Sequence, residues 1–239
     1  NQMAETIKTQ IAELEEAAAQ KQRLVDNFAH ELRTPLTAIY GYAEYLQKAA
    51  VSEEDKVSSA GYIMSQCRRL SNLSQQLLEL SAPREEGGSL GKIQVDKLFY
   101  AVKQTILPKA ESRVVAVSFE AKLEELKGNR DLLESLLINL IDNGIKACDI
   151  GGTVRVSAYF QGRHPALAVA DNGRGIPEKA ISQIKEPFYR VDKARSRKEG
   201  GAGLGLSICE QIAQVHQAQL QIGSAQGKGT VIRIIFPEI

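Results

Sequence analysis

The stretch VDNFAHELRTPLTAIYGYAEYL, Val25–Leu46, constrains this chain more than any other. Counted in sevens from Val25, Leu32, Ile39 and Leu46 recur at one position. Phe28 and Tyr42 mark a second, with Ala29, Leu36 and Ala43 beside them. A continuous apolar stripe of that period belongs to a helix that packs lengthwise against other helices, as in a bundle. His30 falls off the stripe, on the side away from the Val25–Leu32–Ile39 line, with Asp26 and Thr34 one turn to either side. The helical phase therefore predicts a histidine in solvent rather than in the core. Pro35 removes the hydrogen bond to the Glu31 carbonyl and crowds it, so a bend is expected just past the histidine.

Upstream, Glu5 to Leu24 is rich in Ala, Glu, Gln and Lys, with Ile7, Ile11 and Leu14 at helical spacing and no breaker before Val25. It reads as a solvated helix or a coiled-coil lead-in that carries a signal. After a short loop near Ala49–Val51, Ser52 is placed to cap a second helix. There Ile63, Leu70 and Leu77 repeat in sevens, flanked by Cys67, Leu73 and Leu80. Two antiparallel helices with matching stripes form a hairpin, and a hairpin leaves one side of each stripe uncovered. Two copies forming a dimeric four-helix bundle would cover it. SAPREEGGSLGK (Ser81–Lys92) has the Gly, Pro and charge content of a linker. The expected division is a lead-in helix over 1–24, a hairpin over 25–82, a linker over 83–91 and a second domain over 92–239.

In that second domain the pattern turns mixed. The expected elements are a short strand near Ile93, a helix near Val95–Leu107, a strand Val114–Phe119 and a helix Arg130–Cys148 capped by Asn129. Strands Thr153–Phe160 and Ala166–Ala170, a short helix from Pro177, a helix from about Gly203 to His216, and strands Leu220–Ser224 and Thr230–Phe236 follow. This is an α+β arrangement, an α/β sandwich with one mixed sheet and helices on one face. A net charge of +1 gives no electrostatic case for nucleic acid or an anionic membrane. No uninterrupted apolar run approaches a membrane span, and there is no signal peptide. The 3 cysteines, Cys67, Cys148 and Cys209, are widely spaced, which fits a reducing cytosol rather than a disulfide framework or metal site. The chain starts at Asn1 rather than Met, as expected of a piece of something longer.

Three motifs carry chemistry. LLINLIDNGIKACD sets Asn139, Asn143 and Lys146 on one helix face, opposite Leu133, Leu136, Leu137 and Leu140. An amide oxygen can ligate Mg²⁺, which takes few protein ligands and shares phosphate oxygens. VADNGRGIP follows an apolar strand. Asp171 at the strand end can accept a hydrogen bond from an exocyclic amine, while Gly173 and Gly175 permit close backbone approach to a flat base. A plain turn is the competing reading. GGAGLGLSICEQI puts Gly201, Gly203 and Gly205 before a helix, whose N-terminus favours phosphate. Between the last two motifs FYRVDKARSRK carries five cations from Arg190 to Lys198, a solvated run or a lid over a polyphosphate. Each motif is modest alone; their order along an α/β pattern is specific.

Together these segments resemble the sensor histidine kinases of two-component signalling, from about Asp26 to Phe236. FAHELRTPL is similar to the phosphoacceptor box of that family and NLIDNGIKA to its Asn box. DNGRGIP and GGAGLGL match its two Gly boxes, and EPFYR its Phe box. The resemblance implies a dimerisation and phosphotransfer hairpin followed by a Bergerat-type ATP-binding domain. His30 would be phosphorylated on a ring nitrogen, with Glu31 as base or orienting group and Thr34 as the residue used in dephosphorylating the regulator. Asn143 would ligate Mg²⁺, with Asn139 and Lys146 near the phosphates. Asp171 would recognise adenine, while Gly201, Gly203 and Gly205 face the phosphates. Gly173, Gly175, Phe188, Arg190 and Leu204 complete the implied nucleotide site. The partners implied are a second copy of the chain and a response-regulator receiver domain. The location implied is the cytoplasmic portion of a membrane-anchored sensor whose spans lie outside this sequence, so this fragment is expected to make no membrane contact. Gly144 departs from the family, where Ala is commoner. An imidazole standing in water keeps a neutral, nucleophilic nitrogen above neutrality, and phosphoryl transfer needs positioning and charge neutralisation more than covalent help.

Two other functions compete. Bergerat ATPases of the gyrase and mismatch-repair type use similar motifs but carry Glu where Asn139 stands, and an amide cannot act as a base toward water. A non-catalytic dimeric module with a degenerate nucleotide domain would require motifs that are not intact.

Overall fold

A computed structural model of the chain describes residues 2–48, 50–81, 90–192 and 202–238. Most of the expected linker, and the cation run beyond Asp192 together with Gly201, lie outside the described residues. Two compact units divide the chain, Asn1–Gln75 and Gln76–Ile239, with the division falling inside the second helix.

The first unit is a helical hairpin. Helix α1 spans Gln2–Lys48 without interruption, so lead-in and His30 segment are one helix that runs through Pro35. Helix α2 spans Glu53–Ser81. Its start is a reciprocal cap: Ser52 Oγ accepts the Asp55 N–H (3.1 Å) and donates to the Asp55 carboxylate (2.7 Å). Tyr42 packs against Tyr62 in a tilted ring pair, with centroids 4.6 Å apart, and Glu31 pairs with Arg69. Moving back along α1 moves the partner forward along α2, so the helices are antiparallel. Pro35, Ser59 and Leu73 are buried between them, while Val25, Leu36, Tyr40 and Tyr45 remain exposed on the α1 surface.

The second unit is a mixed sheet under a layer of helices. Strand β1 (Gly91–Gln94) leads into α3 (Val95–Ser112); β2 (Ala116–Ala121) and β3 (Glu125–Gly128) precede α4 (Arg130–Ala147). Next come β4 (Thr153–Gln161), β5 (His164–Asp171), a short α5 (Glu178–Ile181), α6 (Gly205–Val215), β6 (Gln219–Ser224) and β7 (Thr230–Ile235). The main sheet runs β2-β4-β5-β7-β6, parallel only between β2 and β4, and β1 pairs with β3 in a separate antiparallel ribbon. Helix α4 packs on β4 and β5, α3 on β2, and α6 on β6. The reason is legible in the residues. Val154, Val156 and Ala158 alternate inward on β4, and Leu133, Leu136, Leu137, Leu140, Ile141 and Ile145 form the stripe of α4 that covers them.

Three expectations need correction. Helix α3 does not stop at Leu107 but continues through Pro108 to Ser112; Pro108 and Gln104, whose carbonyl loses its helical partner, are both exposed residues, where such a loss costs least. Strand β2 begins at Ala116, not Val114, because Val114 closes the helix end in a left-handed turn (φ 54), with Val115 N–H bonded to Ala110 O (3.0 Å). Strand β3 was not expected at all.

Candidate functional site

On α1, His30 and Thr34 are exposed, as the helical phase predicts. Glu31 is not left to water: Arg69 Nη2 lies 3.1 Å from its Oε2, and both side chains are about one-fifth exposed (23% and 21%). A pair held that tightly at partial burial fixes the carboxylate on the α2 side of the helix.

The second unit contains a cleft of about 430 Å³ between α4, the end of β5, the segment before α6 and β7. Asn139, Asn143, Lys146, Asp171, Gly175, Arg190, Gly203 and Gly205 line it. The motifs read separately in the sequence therefore converge. Gly173, Phe188 and Leu204 are not among the lining residues. Leu204 is fully buried, and its carbonyl accepts the Ser207 hydroxyl (2.8 Å) as α6 begins.

Asn129 caps α4 by accepting the Leu132 N–H (3.1 Å), as expected. Further along α4, Asn139 Nδ2 donates to Ser135 O (3.0 Å), which turns its oxygen toward the start of α6; a Cβ added at Gly205 would sit 3.1 Å from that oxygen. Asn143, exposed one turn on, faces the cleft. Lys146 is committed to Asp142 at 2.8 Å. Asp142, a cleft residue absent from the sequence reading, also pairs with Lys109 of α3. Burial would raise the Asp142 carboxyl, but the charges of Lys146 and Lys109 outweigh it and hold it below the usual carboxylate range.

The Asp171–Ile176 turn is built on the protein's own backbone. Asp171 Oδ1 accepts the Gly173 N–H (2.9 Å), and Asn172 Oδ1 accepts the Thr153 N–H (2.7 Å). Arg174 N–H reaches Ala147 O at the end of α4 (3.1 Å), and Gly227 N–H reaches Arg174 O (2.7 Å). Ser224 Oγ accepts the Ile176 N–H and donates to Gly229 O, both at 2.8 Å. The turn is thus wedged between α4 and the β6–β7 hairpin. A Cβ at Gly173 would meet Ala147 O at 2.5 Å, and one at Gly175 (φ +66) would meet Ala225 O at 2.0 Å. The close approach that glycine allows at these two positions is to the chain's own carbonyls. Burial raises the Asp171 carboxyl, against the lowering effect of the Gly173 and Thr230 backbone. A desolvated carboxylate beside a cleft is a strong acceptor for an amine donor.

At the other end, Phe188 adopts a left-handed backbone (φ 66) and its N–H donates to Gly203 O (2.8 Å). Gly203 is itself left-handed (φ +78), and a Cβ there would meet Tyr189 O at 2.9 Å.

Residues 20–86 match the His Kinase A (phospho-acceptor) domain, and residues 128–239 match the histidine kinase-, DNA gyrase B- and HSP90-like ATPase family. The chain belongs to the sensor histidine kinases. Sensor histidine kinase YkoH of Bacillus subtilis is 35% identical over 240 residues, which is 99% of this chain and 52% of that protein. This histidine kinase chain therefore spans about half the length of that relative. Two solved structures share its fold. Histidine kinase ThkA in complex with the response regulator TrrA aligns with a TM-score of 0.71 at 22% identity, covering 95% of this chain and 66% of that one. Full-length ShkA in complex with AMPPNP aligns at 0.66 and 24% identity, covering 91% of this chain and 46% of that one.

Proposed function

We propose that this chain is an ATP-dependent protein-histidine kinase that phosphorylates His30 and passes the phosphoryl group to an aspartate of a response-regulator receiver domain. Residues 92–239 act as the ATP-binding domain, 25–82 as the phosphotransfer and dimerisation hairpin, 83–91 as the linker and 1–24 as the signalling helix. The reading is carried by Asn139. Its Nδ2 is tied to Ser135 O (3.0 Å), so an amide stands fixed where an ATP hydrolase of this fold needs a base. An amide cannot act as a base toward water, which favours an acceptor supplied by the protein, and His30 stands exposed off the packed stripe.

Asp171 accepts the adenine amine, and Lys146, Arg190 and the N-terminus of α6 at Gly203–Gly205 receive the phosphates. Among the described residues no group of three or more His, Cys, Asp or Glu side chains forms an all-protein metal site. A single amide oxygen, that of Asn143, fits Mg²⁺, which shares its remaining positions with phosphate and water. Mg²⁺ would supply neutralisation of the phosphate charge. Glu31 orients the His30 imidazole or takes its proton. Thr34 positions the water that dephosphorylates the regulator, which makes the enzyme bifunctional. The ThkA–TrrA complex supports a receiver-domain partner, and the AMPPNP complex of ShkA supports ATP. Val25, Leu36 and Tyr45, exposed on the single hairpin, support a dimer that covers them. No helix among the described residues is long and apolar enough to cross a membrane; the proposed location is the cytoplasmic portion of a membrane-anchored sensor.

Incubation with γ-labelled ATP tests this. Acid-labile, base-stable label should map to His30 and vanish in His30→Gln, with nucleotide affinity within about twofold of wild type because His30 is remote in sequence from the nucleotide motifs. Free phosphate without labelled protein would instead establish the hydrolase reading.

A further inference from the structure

Lys146 begins its working life already occupied. Its ammonium sits 2.8 Å from Asp142 Oδ2, and to give its charge to a phosphate it has to loosen its hold on that carboxylate. The Asp142 side chain is only 19% exposed, so a carboxylate abandoned there would be left poorly solvated. Lys109 changes that situation. It comes from α3, outside every nucleotide motif, and pairs with the other oxygen, Oδ1. Asp142 and Lys146 line the cleft while Lys109 does not, so Lys109 approaches the carboxylate from behind. The Lys109 side chain is 44% exposed and the Lys146 side chain 18%. The three groups carry two positive charges and one negative.

We infer that Lys109 is a positioning residue for nucleotide phosphate: it holds and neutralises Asp142 from behind, so that Lys146 can turn from Asp142 to the phosphates. The inference rests on the proposed role of Lys146 as a phosphate ligand. Removing Lys109 has two effects of the same sign. Lys146 becomes the sole cation on Asp142 and is gripped harder, and the three-residue cluster beside the cleft drops from a net +1 to zero. Both oppose an anionic ligand and neither touches the adenine end. Removing the Asp142 charge as well restores the net +1 and frees Lys146.

The test uses the full chain with Mg²⁺, measuring displacement of a fluorescent ATP analogue by ADP and, separately, by adenosine. Lys109→Met should weaken ADP by about fivefold or more, the lower range of typical coupling between sites, and leave adenosine unchanged. Lys109→Arg should retain ADP affinity, and Lys109→Met/Asp142→Asn should recover most of it. A purely structural role would lower adenosine and ADP alike, which would overturn the inference, as would unchanged ADP affinity in Lys109→Met. The control is Lys146→Met. If it lowers ADP affinity while Lys109→Met does not, only the role of Lys109 fails. If Lys146→Met itself leaves ADP affinity unmoved, the phosphate-ligand reading of Lys146 fails, and this inference with it.

Discussion

An alanine at Gly173 has nowhere to go. Its Cβ would lie 2.5 Å from Ala147 O, 2.6 Å from the carbonyl carbon and 2.9 Å from the Ala147 Cβ, whereas carbon reaches its optimal contact at about 3.5–4.0 Å. The obstacle is the last turn of a helix, which cannot rotate aside. Relief means lifting the Asp171–Ile176 turn off α4, stretching the Arg174 N–H bond to Ala147 O (3.1 Å) and the Gly173 N–H bond to Asp171 (2.9 Å). Overpacking costs about 1–3 kcal/mol and a weakened hydrogen bond about 1 kcal/mol, so Gly173→Ala should lose about 2–4 kcal/mol. At about 2–4 °C per kcal/mol for a unit of this size, the melting temperature falls by about 5–15 °C. Gly144, one turn earlier in α4, provides the contrast. The nearest atoms a Cβ there would meet are the Val154 methyls at 3.2 and 3.4 Å and Asp171 Cβ at 3.4 Å. The squeeze is a few tenths of an ångström against side-chain atoms, and alanine gains about 1 kcal/mol of helix propensity over glycine. Gly144→Ala should therefore stay within about 1 kcal/mol of wild type. Thermal denaturation followed by circular dichroism, with and without nucleotide, measures both. If Gly173→Ala melts with wild type, or Gly144→Ala falls as far as Gly173→Ala, the packing argument at the end of α4 is wrong.

Asp171→Asn should weaken ATP binding yet stabilise the nucleotide-free protein at neutral pH. Burial raises the folded carboxyl above its unfolded value, so the ionised group costs stability once pH passes the folded value, and an amide removes that cost while Oδ1 still accepts the Gly173 N–H; lower stability together with unchanged affinity would refute both halves. His216 runs the other way: burial depresses its imidazole, whose Nε2 accepts the Asn129 N–H (2.9 Å) and whose Nδ1 faces Ile212 O (2.7 Å). The unfolded chain therefore takes up the proton first, so this stability is complete above about pH 6.5 and is lost as pH falls below it. Denaturant titrations at pH 7.5 and 5.5 should show the loss, and His216→Gln should reduce it; an equal slope in the variant would acquit His216. On α1, Thr34→Ala should keep autophosphorylation within a few-fold while dephosphorylation of a regulator falls, whereas Glu31→Ala should lower autophosphorylation by roughly 10²-fold. Loss of both activities together in Thr34→Ala would make Thr34 merely structural.

Features set by local chemistry were legible in the sequence. The exposed side of His30 followed from the heptad phase, the two helix starts from the capping residues Ser52 and Asn129, and the convergence of Asn143, Asp171 and Gly205 from three motifs in order. Features set by distant partners were not. Strand β3, ELKG, has a single apolar residue and exists because Leu126 faces Ile93 across the β1 ribbon. A glycine in a motif announces freedom but not what it makes room for, so Gly173 and Gly175 read as ligand contacts although the nearest obstacles are Ala147 and Ala225 carbonyls. Leu204 sits inside a Gly motif yet points into the core. The partners of Asp142 and Glu31, Lys109 and Arg69, lie on other helices and leave no local trace.

The bond from Phe188 N–H to Gly203 O has a consequence for how such chains diversify. Two left-handed residues meet there and bring the two ends of a 14-residue intervening stretch, 189–202, to one neck. Anything added to or removed from that stretch leaves and rejoins the domain at the same place. Loop-closure entropy grows only logarithmically, about 0.6 kcal/mol for each doubling of length. Length between the two ends, and sequence there apart from nucleotide-site residues such as Arg190 and Gly201, can thus drift at small thermodynamic cost, while α6 keeps its start and the sheet its register. Phe188 bears the expense in backbone strain, about 1–3 kcal/mol, and this concentrates selection on the neck and on the cleft residues beside it, Arg190 among them.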